Sequence, residues 1–437
     1  MPSAYAQRFA RLTELLAHWQ PLWAPEPFRY RRAPWGAAFP ALEAWLLGLD
    51  EAERERLEAA PFAASRLADW LPVAELAALS EVAPLPEAAG APPLPEAWAT
   101  HVGGRKWAQI GAFAARLAPA PAYLEWCAGK GHLGRALARR DNARVIGLEW
   151  QASLCQAGQA LAEAQGADLS LHEQDVMADS AADWLTPGRQ LVALHACGDL
   201  HGRLVRRAAE GRLPLTLAPC CYQRTAETSY RPLSRQGERA MAEHGLALPR
   251  EQLALAVQET VTAPRQVRLS RARANAWRLG FDELQRELHG EDRYLPVPSL
   301  AYGRLPDDFA GFCRWAAAEK GLSLPPHLDW ARFEAAGAMR QARVERLELV
   351  RHLFRRPLEL WLVLDRLLCL EEAGMAVRLG TFCERSLTPR NLLIQARRPY
   401  SSSPGGAKST PGISPAPVRS ASQPPTARVS PLPSTTR

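Results

Sequence analysis

The 437 residues are 47% hydrophobic and 23% charged, the composition of a globular chain with core enough for two or three domains. Eight cysteines in no regular framework, no leading apolar segment, and a most apolar stretch (Leu358–Leu370) broken by Glu359, Asp365 and Arg366 argue against a secreted disulfide scaffold and a membrane protein. A reduced, cytoplasmic protein is the expectation.

The net charge of +7 is uneven: residues 1–100 hold 8 Arg against 13 Asp and Glu, or −5, which leaves +12 on the remainder. A basic body suits a polyanion such as RNA, and a solvated Arg-rich surface has the same composition.

In chain order, Met1 to Trp19 reads as an amphipathic helix, with Arg8, Arg11 and Glu14 set against Leu12, Leu15 and Leu16. Helical patterns at Ala41–Leu49 and Ala64–Leu79 follow. With Trp19, Trp23, Trp35, Trp45, Trp70 and Trp98 read as core, they predict a helical N-terminal domain over 1–100. Five prolines between Pro84 and Pro95 read as a linker.

From 101 the rhythm changes. Apolar runs at Ala122–Trp126, Arg144–Leu148, Leu169–His172, Gln190–His195 and Pro214–Ala218 alternate with Ala-rich helical stretches at Leu133–Arg139, Ser153–Gln165 and Gly202–Glu210. That alternation predicts a mostly parallel sheet with helices on both faces, and ligand sites at the carboxyl ends of its strands. The rhythm stops over about 225–357, a helical Arg-rich insertion that includes Arg265–Leu288. A buried helix, Leu358–Glu372, and two strands, Ala376–Cys383 and Asn391–Ala396, then close a seven-stranded sheet with an antiparallel hairpin. Residues 101–398 are thus one α/β domain. Residues 399–437, rich in Ser and Pro and free of acid, are expected to be a disordered tail.

The run Leu124-Glu125-Trp126-Cys127-Ala128-Gly129-Lys130-Gly131-His132-Leu133-Gly134 leaves the first strand and opens a helix. Its glycines and the unpaired N–H groups of a helix start form a cofactor loop of a kind that two cofactor classes use. Gly129-x-Gly131-x-x-Gly134, with Glu149 twenty residues on, is literally the dinucleotide fingerprint, and an NAD or flavin oxidoreductase is the competing reading. Glu125 argues the other way. A carboxylate beside the loop repels a pyrophosphate and favours S-adenosylmethionine (SAM), which carries a sulfonium and an ammonium. Glu149 then suits the ribose hydroxyls, and Asp175 after the third strand suits the adenine amino group. Cys127, Gly129 and Gly131 complete the predicted cofactor contacts.

The fourth strand ends in His195-Ala-Cys-Gly-Asp199 and the fifth in Cys220-Cys221-Tyr222. His195, Asp199 and Tyr222 have the right chemistry to align a nucleophile and take its proton, and His195 also borders the cofactor. A His ending an apolar strand is also a common structural residue. Cys127, Cys197, Cys220 and Cys221 all fall at strand ends and with His195 raise the question of a zinc or iron–sulfur site. No Cys-x-x-Cys pair is present and a free Cys usually packs as a small hydrophobe, so no metal is expected. Lys106, at a helix start before the first strand, is placed to reach a cofactor carboxylate or a substrate phosphate. Arg265, Arg268, Arg271 and Arg273 are candidates for phosphate contact.

The loop at 125–134, His195-Ala-Cys-Gly-Asp199 and Cys220-Cys221-Tyr222 resemble the methyltransferase-domain family that includes eukaryotic methyltransferase-like proteins with a Cys-Cys-Tyr signature. They are similar, more distantly, to the tRNA 2′-O-methyltransferase of the acceptor stem. Leu364-Asp365-Arg366-Leu367-Leu368 and Ser386-Leu387-Thr388-Pro389-Arg390-Asn391 resemble that family's closing segments. The resemblance covers about 101–398. It implies a Rossmann-like class I methyltransferase fold and SAM, and names no substrate. Cys127 stands where the commoner Glu-x-Gly-x-Gly-x-Gly loop has its first glycine. The expectation is a SAM-dependent methyltransferase with RNA favoured as substrate. A protein or small-molecule methyltransferase, or a non-catalytic RNA-binding module on the same fold, are the alternatives within the fold. The oligomeric state is not legible.

Overall fold

The computed structural model describes residues 2–258, 265–300 and 303–399; the expected tail from Tyr400 onward lies outside the described residues. Through residue 80 the chain forms α1 (Ala4–His18), α2 (Gln20–Trp23), α3 (Pro40–Leu47), α4 (Glu51–Ala59) and α5 (Val73–Ser80). Ser3 and Asp50 cap α1 and α4 by accepting hydrogen bonds from Ala6 N–H and Glu53 N–H. The single helix expected over Ala64–Leu79 is instead a short 3-10 turn, Arg66–Asp69, followed by α5. Pro72 separates them, since it has no N–H to continue a ladder.

The α/β region runs α6 (Gly104–Ala114), β1 (Ala122–Trp126), α7 (His132–Asp141), β2 (Arg144–Glu149), α8 (Ala152–Ala164), β3 (Leu169–Glu173), β4 (Gln190–Cys197), α9 (Asp199–Gly211) and β5 (Leu215–Cys220). Then come α10 (Arg235–His244), α11 (Arg250–Leu253), α12 (Arg265–His289), α13 (Phe309–Glu319), α14 (Trp330–Glu372), β6 (Ala376–Thr381) and β7 (Leu392–Arg397). The seven strands lie in the order β3-β2-β1-β4-β5-β7-β6. β1 to β5 are parallel, and the β6–β7 hairpin joins antiparallel on β5. This is the Rossmann-like, mostly parallel sheet with a closing antiparallel hairpin that the strand rhythm predicts.

Strand alternation sorts the side chains onto two faces. Leu124, Trp126, Leu191, Ala193, Leu215 and Leu217 pack into a core with the N-terminal helices and α14. Tyr123, Val145, Val192 and Ala218 point the other way, onto Trp107, Ile110 and Phe113 of α6 and Leu133 and Leu137 of α7. A third core of Trp277, Phe281, Phe309 and Phe312 holds α12, α13 and the start of α14 together.

Two boundaries differ from the sequence reading. The described residues up to Pro399 form one compact unit, because Phe9, Leu12, Trp23 and Leu42 share a core with Trp361 and the sheet. Trp361 Nε1 donates to Thr13 Oγ1 at 2.8 Å, 348 residues away in sequence. The proline stretch is likewise packed: Leu85 N–H donates to Thr381 O at 2.9 Å, which covers part of the β6 edge. The second boundary is Pro357. The helix expected from Leu358 begins at Trp330 and runs 43 residues with Pro357 inside it. An interior proline costs about 3 kcal/mol. Burial outweighs that cost, since from Leu349 to Leu370 every side chain but Arg355, Arg356 and Cys369 is buried. No helix among the described residues is long and apolar enough to cross a membrane.

Candidate functional site

The carboxyl ends of β1, β2 and β3 carry Glu125, Glu149 and Asp175. Glu125 is 5% exposed, and its Oε2 accepts Gly134 N–H at 2.8 Å across the loop into α7. Only glycine permits that approach, because a Cβ at Gly134 would stand 2.6 Å from the same oxygen. Burial pushes the Glu125 carboxyl up to about 8, against the smaller opposing pull of the Gly134 N–H, Lys106 and Arg135. Glu149 accepts Gly129 N–H at 2.9 Å and Gln151 N–H at 3.1 Å. Both carboxylates therefore fix the loop from beneath. Between them Cys127 takes a left-handed φ of 59° and Gly129 and Gly131 take 59° and 62°, so Cys127 adopts the glycine-like conformation its position in the loop demands. A Cβ on Gly129 would meet nothing within 4 Å, so the loop opens onto free space. Asp175 is exposed and caps its own turn through Met177 N–H at 2.8 Å.

The ends of β4 and β5 are built differently. A register shift between Leu194 and Ala196 makes His195 a bulge with φ 66°. Its Nε2 lies 2.7 Å from Gln109 Oε1, while Gln109 Nε2 donates to Leu387 O at 3.3 Å. The second bond orients the amide, so His195 Nε2 carries the proton and Nδ1 keeps its lone pair. Nδ1 is buried with no protein partner, and burial, with Arg390 adding to it, lowers the imidazole to about 4.

Gly198 and Asp199 hold the segment after β5. Gly198 N–H donates to Cys220 O, Asp199 N–H to Arg224 O at 3.0 Å, and Asp199 Oδ2 accepts Ala226 N–H at 2.8 Å. A Cβ on Gly198, at φ 50°, would stand 1.7 Å from Arg224 O. Asp199, expected as a candidate base, thus has a backbone-bracing role in this geometry.

Tyr222 also departs from its expected catalytic place. It is 2% exposed, lies under the Arg366 guanidinium at 5.0 Å and meets His201 edge-on. Burial pushes its phenol far above the usual range, and its hydroxyl faces the interior. The ring lies in the core that α14 shares, with Arg366 over it, so it anchors the chain after β5 and leaves the two cysteines at the strand end. Asp365, one residue before Arg366, accepts from Tyr230 Oη, Leu233 N–H, Ser234 N–H and Ser234 Oγ at 2.6 to 3.0 Å, fixing the next loop to the same helix.

Three of the four strand-end cysteines converge: the Sγ atoms of Cys197, Cys220 and Cys221 lie within 4.8 Å of one another. Cys127 and His195 are not in that group. Lys106 is exposed on α6 yet close enough to act on Glu125, His132 and His195. Arg135 Nε and Nη1 are buried without partners nearby on α7. Arg265, Arg268, Arg271 and Arg273 are all exposed on the first turns of α12. Arg271 lines a cleft of about 400 Å³ with Ser270, Asn275, Arg278 and Phe312.

Three residues escaped the sequence reading. Gln109 was hidden because its partner His195 lies 86 residues on. Trp150 and Met177, at 69% and 40% exposed, follow Glu149 and Asp175 at the ends of β2 and β3. An aromatic directly after a strand-end acid was the available signal for Trp150.

Residues 106–228, which span β1 to β5 and all the strand-end groups above, match the family model described as a methyltransferase domain. No curated protein matches the chain.

Proposed function

We propose that this chain, whose residues 106–228 match a methyltransferase-domain model, transfers the methyl group of SAM to RNA. The observation that carries the cofactor is what the loop does with its N–H groups. A dinucleotide site offers them to pyrophosphate. Here Gly129 N–H goes to the Glu149 carboxylate and Gly134 N–H to Glu125, so the loop is backed by acid and suits a cationic ligand. The open space at Gly129 takes the ligand's main chain, the free lone pairs of Glu149 accept from the ribose hydroxyls, and Trp150 and Met177 offer apolar surface to the adenine beside Asp175. Lys106 and the unpartnered donors of Arg135 meet the carboxylate.

SAM supplies a methyl group activated by a sulfonium. The protein aligns the acceptor in line with it and takes up the acceptor's proton. His195 is the group suited to this, because Gln109 holds its proton on Nε2 and leaves the Nδ1 lone pair unused. Exposed Arg265, Arg268, Arg271 and Arg273, with the cleft at Arg271 and Arg278, favour a polyanionic acceptor.

Calorimetry with SAM and labelled-methyl transfer to fractionated cell extract test both parts. SAM should bind, and label should enter the RNA fraction. Binding to single-stranded RNA should weaken with salt, with a log–log slope of about −3 if the four arginines each meet a phosphate. Label confined to protein or metabolites sinks the RNA reading alone, and absence of SAM binding sinks the whole proposal.

A further inference from the structure

Cys197, Cys220 and Cys221 are brought together by backbone that the sequence would not choose unaided. In an extended strand consecutive side chains point to opposite faces. Cys220 ends β5 and Cys221 follows at φ 47°, a left-handed turn that swings its thiol back to 3.3 Å from that of Cys220. The bulge at His195 sets the register that pairs Cys197 with Cys220 across β4 and β5. Two non-glycine residues in left-handed backbone are therefore spent on one trio of thiols. Such strain persists where the surroundings enforce it and collects at functional sites. Gln109 on one side and Gly198, Asp199 and Arg224 on the other do the enforcing.

We propose that Cys197, Cys220 and Cys221 bind one Zn²⁺ through three thiolates, with the fourth coordination position left open at the ends of β4 and β5. Tetrahedral zinc with bonds of about 2.3 Å spaces its sulfurs about 3.8 Å apart. The adjacent pair lies 3.3 Å apart and no pair lies beyond 4.8 Å, a spread compatible with that value. Side-chain rotation alone then closes the site, and the thiol protons pass to solvent. Soft thiolates select zinc over magnesium or calcium. Among the described residues this is the only group of three or more His, Cys, Asp or Glu ligands so placed, and it contains no fourth. Three protein ligands and a free position are the pattern of zinc sites that bind a substrate or water, whereas structural sites are closed. The site lies on the strand ends that carry His195, and its existence does not depend on RNA being the acceptor.

The full-length protein, reduced and stripped of metal, is titrated with Co²⁺ alone and then with Zn²⁺. One equivalent should bind, with thiolate-to-cobalt charge-transfer bands of the intensity of three thiolates, displaced by zinc. Alkylation mapped on the native protein should show Zn²⁺ protecting these three of the eight cysteines. Cys197→Ala and Cys221→Ala should each lose more than the roughly 10–100-fold in zinc affinity that even outer-shell partners cost, and Cys369→Ala should lose none. A wild-type protein without the cobalt bands, or protection of other cysteines, overturns the proposal even if the variants fail to fold.

Discussion

The two halves of the strand-end face obey different rules. At β1 and β2, acids hold a glycine loop through backbone hydrogen bonds: Glu125 reaches nine residues and Glu149 twenty. At β4 and β5, His195 and the cysteines are held by partners far off in sequence, Gln109 by hydrogen bond and, through Tyr222, Arg366 of α14. The first half is a loop that its own sequence nearly specifies. The second is a constellation imposed from outside, with His195 and Cys221 held in left-handed backbone by partners that lie beyond their own segments.

The sharpest way to test this division is a pair of substitutions. His195→Asn keeps a side chain that tolerates left-handed backbone. It should lower methyl transfer about a hundredfold or more while leaving SAM affinity within a few-fold. Glu149→Gln should do the reverse, weakening SAM binding about 10–100-fold through lost charge-assisted hydrogen bonds, as calorimetry would read. Equal losses of affinity in both variants would break the comparison.

The next effect is on stability. Asp365→Ala leaves Tyr230, Leu233 and Ser234 without their buried acceptor and should cost about 3–5 kcal/mol in denaturant unfolding. Under conditions where the variant is folded, SAM affinity should survive, because β1 to β3 do not lean on α14 through that residue.

The gentlest test is pH. Glu125 is raised from its ordinary value near 4.5 to about 8, so the folded chain holds a proton there that the unfolded chain has lost. Its contribution to stability therefore falls as pH rises from about 4.5 to 8, with a slope approaching ~1.4 kcal/mol per pH unit. Glu125→Gln should flatten that part of the stability–pH curve relative to wild type. An unchanged curve would mean that Glu125 is already ionised when the protein folds. In the wild type, a cation bound beside Glu125 pulls its proton off, so SAM affinity should rise with pH up to about 8.

Much of the first half was legible in sequence. The alternation of apolar runs with Ala-rich helices gave five parallel strands, and Glu125, Glu149 and the glycines fell where the strand ends place them. Their roles needed coordinates, since Glu125 turned out to brace the loop from a buried position. In the second half residue types did not reveal where the side chains lie. Asp199 and Tyr222 have the chemistry of catalytic groups, yet one caps a backbone segment and the other is drawn into the core by α14. No Cys-x-x-Cys pair pointed to the thiol trio, because its spacing is made across strands.

What the sequence alone determined is therefore the period of its elements, the parallel sheet and the acid-backed glycine loop, all of which follow from local patterns: the alternation of apolar runs with helical stretches, and the run from Glu125 to Gly134. What only the tertiary structure decided is the reach of α14 through Pro357, the sharing of one core by the N-terminal helices and the sheet, and the meeting of His195 with Gln109 and of Cys197 with Cys220 and Cys221. Those depend on burial and on pairings tens to hundreds of residues apart, and local propensity carries no record of them.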